Sequence, residues 1–168
     1  LKKIMFDYQA ILTSFQFWVY TLFFCFLLAA LVAWNTLSPF YLMGYLKLNL
    51  IQFGYVQLFV YGFFISSINL RRLLKNYPME KIVKVGVFVT ITFFILSLWS
   101  LMYSPQRLLW VIGSVLLFCM SAGLIFYSLQ RKAIEIPKAP MGTITAVFST
   151  AMHLFGFLGS LMARAIHF

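Results

Sequence analysis

The sequence predicts an all-α membrane protein with five transmembrane helices, and three observations support this prediction. Of the 168 residues, 63% are hydrophobic and only 10% are charged, whereas about 25% of an average soluble domain is charged. Five apolar stretches each have about the 20 residues that a helix needs to cross the hydrocarbon core of a bilayer. Lysines and arginines gather between these stretches, and the stretches lack the alternating polarity of strands.

The first 14 residues predict a helix that lies on the membrane surface. Apolar residues recur with helical spacing in the opening LKKIMFDYQAILTSF, and two lysines stand near its start. Such a basic amphipathic helix is typical of the interface between lipid and water. We therefore assign residues 1–14 to an interfacial linker helix and residues 15–168 to a transmembrane lobe.

Prolines separate several of the five predicted spans. Pro39 closes the first span, Pro78 lies in the connector before the third, and Pro105 forms the turn before the fourth. Proline removes a backbone donor and disfavours continuation of a helix. The two prolines of RKAIEIPKAP exclude a regular helix before the fifth span. The predicted spans are about 15–37, 51–70, 83–103, 108–129 and 141–166.

The basic residues predict the orientation of the chain. Ten of the 13 lysines and arginines precede the first span or lie in the connectors before the third and fifth spans. Cytoplasmic connectors carry an excess of these residues, so we expect a cytoplasmic N-terminus and a periplasmic Phe168 in a bacterial inner membrane. The cations are spread over span ends, and this distribution argues against nucleic-acid binding, which needs one basic face.

The sequence contains no motif for an enzyme, a metal site or a cofactor. Patterns such as His-Glu-x-x-His, Gly-x-Ser-x-Gly and Cys-x-x-Cys are missing, as is a glycine-rich phosphate loop. Cys25 and Cys119 lie inside apolar runs and are interpreted as small packing residues. The three acids, Asp7, Glu80 and Glu135, lie outside the spans, so no span offers a carboxylate for acid–base chemistry.

Polar residues inside the spans are the candidate functional residues, because polar groups in a membrane are costly. Asn35 could offer a donor and an acceptor to a substrate, or it could satisfy carbonyls freed by Pro39. In the second span Gly54, Gln57 and Tyr61 share one helical face. That face could line a cavity, or it could serve helix packing, in which glycine permits close approach and glutamine bonds across helices.

The fifth span carries a polar stripe that lipid would not favour. Its members recur every three or four residues on one face: Thr145, Ser149, His153, Gly156 and Ser160. Histidine is the side chain that changes charge near neutral pH. His153 could therefore sense protons or substrate in a cavity, together with Ser149 and Gly156. The alternative is a neutral imidazole that is hydrogen-bonded between packed helices.

Four of the five spans carry a short motif of small, polar or helix-bending residues. These motifs are Ser38-Pro39, Gly54-x-x-Gln57, Gly123, and Gly142-Thr143-x-x-Ala146. In this order they resemble the C-terminal half of a major facilitator superfamily transporter, in particular the drug/proton antiporters of the MdfA type. The resemblance implies that Ser38-Pro39 closes the seventh helix of twelve, and that the chain is the C-terminal six-helix lobe without its last helix.

The resemblance also implies a function and partners. The chain would form part of a secondary active transporter that exports small lipophilic or cationic substrates by alternating access, in exchange for protons. Its partners would be the lipid bilayer and an N-terminal six-helix half, which is missing here; the start at Leu1 suggests a fragment. One departure is that Arg71-Arg72 lacks the aspartate usual in this connector. Alternatives are a siderophore or metabolite exporter, a non-transporting membrane scaffold, and a subunit of an unrelated complex.

Overall fold

The computed structural model describes residues 2–70, 78–137 and 139–165, and within these ranges the chain is helical with no strand. A π-helical turn, Phe40–Tyr45, directly continues the second helix. The helices are α1 (Lys2–Leu12), α2 (Phe15–Pro39), α3 (Leu50–Leu70), α4 (Met79–Tyr103), α5 (Leu108–Glu135) and α6 (Met141–Arg164). The prediction of an all-α protein is confirmed.

Five of the helices are long and apolar enough to cross a membrane. They are α3 to α6 together with α2, which with its π-helical turn forms a continuous stretch of 31 residues. The shortest of the five, α3, has 21 residues, which is roughly 30 Å of helix and matches the hydrocarbon thickness. The predicted number of spans is therefore confirmed.

Helical backbone continues past Ser38-Pro39, where the α-helical part, α2, ends and a π-helical turn begins; where the first span leaves the membrane stays a prediction. Pro39 has φ −63° and ψ −43°, and helical backbone continues through it to Tyr45. The proline ring fixes φ at a value that a helix accepts, while its missing N–H leaves the Asn35 carbonyl without the usual donor. A π-helical turn follows directly, which is the kind of local rearrangement that absorbs such a break.

The π-helical turn is anchored by Tyr41. This side chain is completely buried, and its hydroxyl donates a hydrogen bond of 2.7 Å to the carbonyl oxygen of Pro105. After the turn, Lys47 has φ 57°, a left-handed conformation that stops helical propagation. The chain then enters α3 with reciprocal hydrogen bonds between Asn49 and Gln52, an arrangement of the capping-box type.

Two other helix ends differ from the sequence prediction. α5 runs to Glu135 rather than 129, and Arg131 Nε lies 2.6 Å from Glu135 Oε1 in an i,i+4 ion pair on its last turns. α4 begins at Met79, directly after Pro78, because proline suits the position before a first helical turn. The predicted roles of Arg71, Arg72 and Phe168 concern residues outside the described ranges.

The described residues form two compact units, the first made of residues up to 34 and from 128 onward. In this unit α6 packs closely on α2, since a Cβ on Gly159 would clash with the backbone of Ala29. The rings of Phe24 and Phe148 pack with centroids 4.9 Å apart. α1 also contacts α6, and the indole N–H of Trp18 donates to the Leu12 carbonyl at 2.9 Å across the α1–α2 turn.

The second unit contains residues 35–127 and is centred on α5. Half of the 18 most apolar consecutive residues of α5 are buried, whereas the corresponding share is 11% for α3 and 17% for α4. α3 approaches α5 so closely that a Cβ on Gly123 would lie 2.6 Å from the Phe64 carbonyl oxygen and would also meet Ser67. Phe94 and Phe118 join α4 to α5, with ring centroids 5.7 Å apart.

Candidate functional site

Polar side chains of α2 and α3 pair with each other in the second unit. The amide nitrogen of Gln57 donates to the Ser38 hydroxyl at 2.6 Å, and the Tyr61 hydroxyl donates to the Asn35 side-chain oxygen. Asn35 and Ser38 are three residues apart on α2, and Gln57 and Tyr61 are four apart on α3, so the two bonds form successive rungs. These four residues are called the α2–α3 polar cluster below.

The α2–α3 polar cluster lies near the centre of a span. Tyr61 is close to the middle of the 21-residue α3, roughly 15 Å from either end of the helix. At that depth the hydrocarbon offers no hydrogen-bonding partner, and polar side chains there normally face protein or a water-filled cavity. The position of the cluster thus favours a surface that lipid does not cover.

The two pairs of the cluster differ in exposure. Ser38 is completely buried, and Gln57 is half-buried. The Gln57 side-chain oxygen is buried and has no hydrogen-bond partner in the described part of the chain. Asn35, in contrast, is exposed, and 37% of Tyr61 is accessible. The cluster therefore has a buried inner pair and an open outer pair.

The sequence interpretation placed these residues in different roles. It grouped Gln57 and Tyr61 on one face, and it considered Asn35 either a cavity residue or a partner for carbonyls near Pro39. The structure brings Asn35, Gln57 and Tyr61 together and adds Ser38, which the sequence analysis treated only as a helix-end residue. The i,i+3 spacing of Asn35 and Ser38 was the signal that could have found it. Substrate binding and helix packing both stay predictions.

The polar stripe of α6 lies beside the buried face of that helix in the first unit. The buried residues of α6 are Ile144, Phe148, Ala151, Gly159 and Ala163. With 3.6 residues per turn, the mean direction of the stripe residues around the axis of α6 differs by roughly 110° from the mean direction of these buried residues. Thr145 and His153 are exposed, and Ser149, Gly156 and Ser160 are half-buried. The stripe is thus largely open in the first unit.

His153 is held by its own helix. Its Nδ1 lies 2.7 Å from the carbonyl oxygen of Ser149, and because a carbonyl oxygen can only accept, Nδ1 must carry the proton. Nε2 is then an acceptor in the neutral imidazole and a second donor in the charged form. Within the described residues the ring makes no hydrogen bond to another helix; whether it faces a cavity or a packed helix stays a prediction.

The motif residues lie at different kinds of position. Gly54 is exposed in the first half of α3, and Gly123 is buried against α3. Gly142 and Thr143 form the first turn of α6, where the Thr143 N–H donates to the Pro140 carbonyl at 3.0 Å. Of the three glycines, only Gly123 lies in a close helix contact, since a Cβ at Gly54 or Gly142 would meet nothing within 4 Å. Ser38 is the motif residue that, with Gln57, belongs to the α2–α3 polar cluster.

The acidic residues lie near helix ends or outside the spans. Asp7 is on α1, Glu80 is in the first turn of α4, and Glu135 ends α5. Within the described ranges, no three His, Cys, Asp or Glu side chains come together as a metal site would require. Cys25 and Cys119 are buried free thiols. Among the described residues, the central parts of the five long helices therefore carry no carboxylate.

Comparison with known proteins connects these features to transporters. No family model matches the chain. It is 24% identical over 162 residues to the multidrug transporter MdfA of Yersinia pestis, covering 96% of the chain and 40% of that protein. It is 25% identical over 144 residues to the chloramphenicol resistance protein CraA of Acinetobacter baumannii, covering 85% and 35%. The MdfA of Edwardsiella ictaluri is 24% identical over 141 residues.

The resemblance to MdfA-type transporters is confirmed by these relatives over nearly the whole chain. The chain spans about two fifths of the length of the curated relatives that it matches. Together with the five membrane-crossing helices, the relatives indicate a multi-pass protein of the bacterial inner membrane, similar to drug efflux transporters.

Proposed function

We propose that this chain is the C-terminal lobe of a secondary active exporter of the major facilitator kind. The observation that supports this most strongly is the similarity to two kinds of drug transporter over 85% to 96% of the chain, combined with five potential spans. The other lobe would be an N-terminal six-helix half, because transporters of this fold bind substrate between two related halves. The cargo would be small lipophilic or cationic molecules.

The open polar residues at mid-span depth would line the substrate cavity. In the second unit the candidates are Asn35, Gln57 and Tyr61. In the first unit they are Ser149 and His153, with Gly156 on the same stripe of α6. Polar groups at this depth are costly against lipid, and most of these side chains are exposed or half-buried in the described structure. A cavity between the two halves would give them water or substrate as partners.

Proton coupling would depend on the N-terminal half. Exchange of a proton for a drug needs a group that competes for both, and a carboxylate inside the membrane is the usual one. The three acids of this chain, Asp7, Glu80 and Glu135, lie outside the central parts of the spans. His153 would add pH sensitivity to the C-terminal wall. The N-terminus would face the cytoplasm, as the basic connectors predict.

Transport by inside-out membrane vesicles tests this proposal. The full-length protein that carries this chain would be expressed in an efflux-deficient bacterium, and vesicles without it would serve as the control. A proton gradient should drive uptake of ethidium or chloramphenicol into the vesicles, and adding either compound should release protons. Vesicles that accumulate neither compound, although the protein is inserted and stable, would contradict the proposed function.

A further inference from the structure

Three exposed aromatic side chains lie at the end of the second unit where α4 meets α5. The rings of Trp99 and Tyr103 on α4 are stacked, with their centroids 4.3 Å apart, and Trp110 lies in the first turn of α5. Each of the three residues is at least 60% exposed. The turn 104–107 joins the two helices, so the three rings lie at the same end of the helix bundle. Tryptophan and tyrosine are enriched where a membrane helix passes from hydrocarbon to headgroups.

The length of α4 places these rings at the edge of the hydrocarbon core. α4 has 25 residues, which is roughly 37 Å of helix, whereas the hydrocarbon is about 30 Å thick. If the helix is centred in the bilayer, each end projects roughly 3–4 Å beyond the hydrocarbon. Trp99, one turn before the end of α4, then lies near the boundary, and Tyr103 and the following turn lie among the headgroups.

The same end of the second unit carries two positive charges and no negative one. Arg107 closes the α4–α5 turn, and Lys47 follows the π-helical turn of residues 40–45; both side chains are exposed. The one acid between residues 35 and 127 is Glu80, in the first turn of α4 and thus at the opposite end of that helix. Within the described ranges, no carboxylate pairs with either cation. An anion from outside the chain would therefore meet two uncompensated positive charges here.

A buried hydrogen bond joins the segments that carry the two cations. The Tyr41 hydroxyl donates to the Pro105 carbonyl oxygen at 2.7 Å, and this bond connects the π-helical turn to the α4–α5 turn. Within the α4–α5 turn, the Arg107 N–H donates to the Ser104 carbonyl oxygen at 3.0 Å. Lys47 and Arg107 thus extend from segments that are already held together, so a ligand that binds both needs to order little backbone.

We propose that this end of the second unit binds the headgroup of an anionic phospholipid without an amine, with phosphatidylglycerol as the type. The phosphate would accept hydrogen bonds from Arg107 and Lys47, while Trp99, Tyr103 and Trp110 pack against the glycerol backbone and the upper acyl chains. Phosphatidylethanolamine binds more weakly, because its ammonium group lies beside two cations and meets no carboxylate at this end. On the predicted orientation, the lipid belongs to the periplasmic leaflet.

Fluorescence quenching of the purified full-length protein in lipid bilayers tests this proposal. The bilayers would consist of phosphatidylethanolamine with a minor share of phosphatidylglycerol, and one of the two lipids would carry brominated acyl chains, which quench nearby tryptophans. A version with Trp99→Phe and Trp110→Phe gives the background from all other tryptophans, and the difference reports on these two. Brominated phosphatidylglycerol should quench them more than its share of the bilayer predicts.

Two substitutions remove the proposed partners of the phosphate. Arg107→Gln should lower the preference for phosphatidylglycerol over phosphatidylethanolamine about fivefold, the factor expected for one basic residue beside anionic lipid. Lys47→Gln should lower it to a similar degree. Arg164→Gln is the matched control, because it removes the same charge from an exposed residue in the last turn of α6, where the helix dipole already offsets a positive charge. It should leave the preference unchanged, and circular dichroism would verify that all three variants are folded.

Each outcome supports or overturns the proposal. If the unaltered protein shows no preference, or if the preference persists in both Arg107→Gln and Lys47→Gln, the lipid at this end is only solvent and the proposal is wrong. An equal loss in Arg164→Gln would attribute the preference to net charge and would overturn it as well. A loss confined to Arg107→Gln and Lys47→Gln would support the site whether or not the protein transports any compound, because the bilayers carry no proton gradient.

Discussion

Replacing Gly159 with alanine should force α6 away from α2. A Cβ on Gly159 would lie 2.9 Å from the Cα and from the carbonyl carbon of Ala29, and closer to the carbonyl oxygen. These are backbone atoms, so no side-chain rotation can relieve the contact. To reach an ordinary separation of about 3.5–4.0 Å between carbon atoms, the helices would have to move apart by roughly 0.5–1 Å.

The expected loss of stability follows from two opposing effects. Overpacking in a close contact costs about 1–3 kcal/mol, whereas the better helix propensity of alanine returns up to about 1 kcal/mol. The net free energy of unfolding should fall by about 1–2 kcal/mol. For a chain of this length, that change lowers Tm by roughly 2–8 °C.

Thermal unfolding of the detergent-purified protein, followed by intrinsic fluorescence, measures the effect. Gly62→Ala is the matched control, because a Cβ at Gly62 would meet nothing within 4 Å, and its Tm should be unchanged or higher. Gly123→Ala should also lower Tm, since its Cβ would lie 2.6 Å from the Phe64 carbonyl oxygen. If Gly159→Ala melted at the same temperature as Gly62→Ala, the reasoning from the close helix contact would be refuted.

Three further predictions concern titration, anchoring and orientation. His153→Ala should alter export or its pH dependence, because a histidine in the cavity wall would contact protons or substrate; unchanged efflux across pH with normal expression would reject that role. Tyr41→Phe removes the buried hydrogen bond to Pro105 and should lower the free energy of unfolding by about 1 kcal/mol, and an unchanged Tm would show that the bond contributes nothing. A reporter fused after Lys75 should be cytoplasmic, and a periplasmic reporter would overturn the orientation.

The sequence predicted the spans well because hydrophobic length in a bilayer is a strong constraint. At Pro39 the α-helix ends, but helical backbone continues as a π-helical turn, which the rule that proline ends a helix does not anticipate. Proline keeps a helical φ, and the loss of one hydrogen bond can be absorbed locally by a π-helical turn and by neighbouring helices. The helical stretch ends at Tyr45, shortly before Lys47, whose positive φ no pattern in the sequence revealed.

The candidate residues were predicted one helix at a time, and their pairing was not. Helical spacing placed Gln57 and Tyr61 on one face, but the partner of each depends on the register between α2 and α3. That register is set by three-dimensional packing, which one sequence does not specify. Likewise Gly123 was identified from a motif, while its contact with Phe64 depends on how closely two helices approach.

If the proposed function holds, a cavity wall without charged side chains should discriminate only weakly between substrates. Each neutral hydrogen bond contributes only about 0.5–1.5 kcal/mol, so losing or gaining one changes affinity by roughly tenfold at most. A buried charge would discriminate far more strongly, because an unmatched partner leaves it uncompensated. On the proposed function, a wall built from Asn35, Gln57 and Tyr61 would therefore discriminate only weakly between substrates that differ by one hydrogen-bonding group.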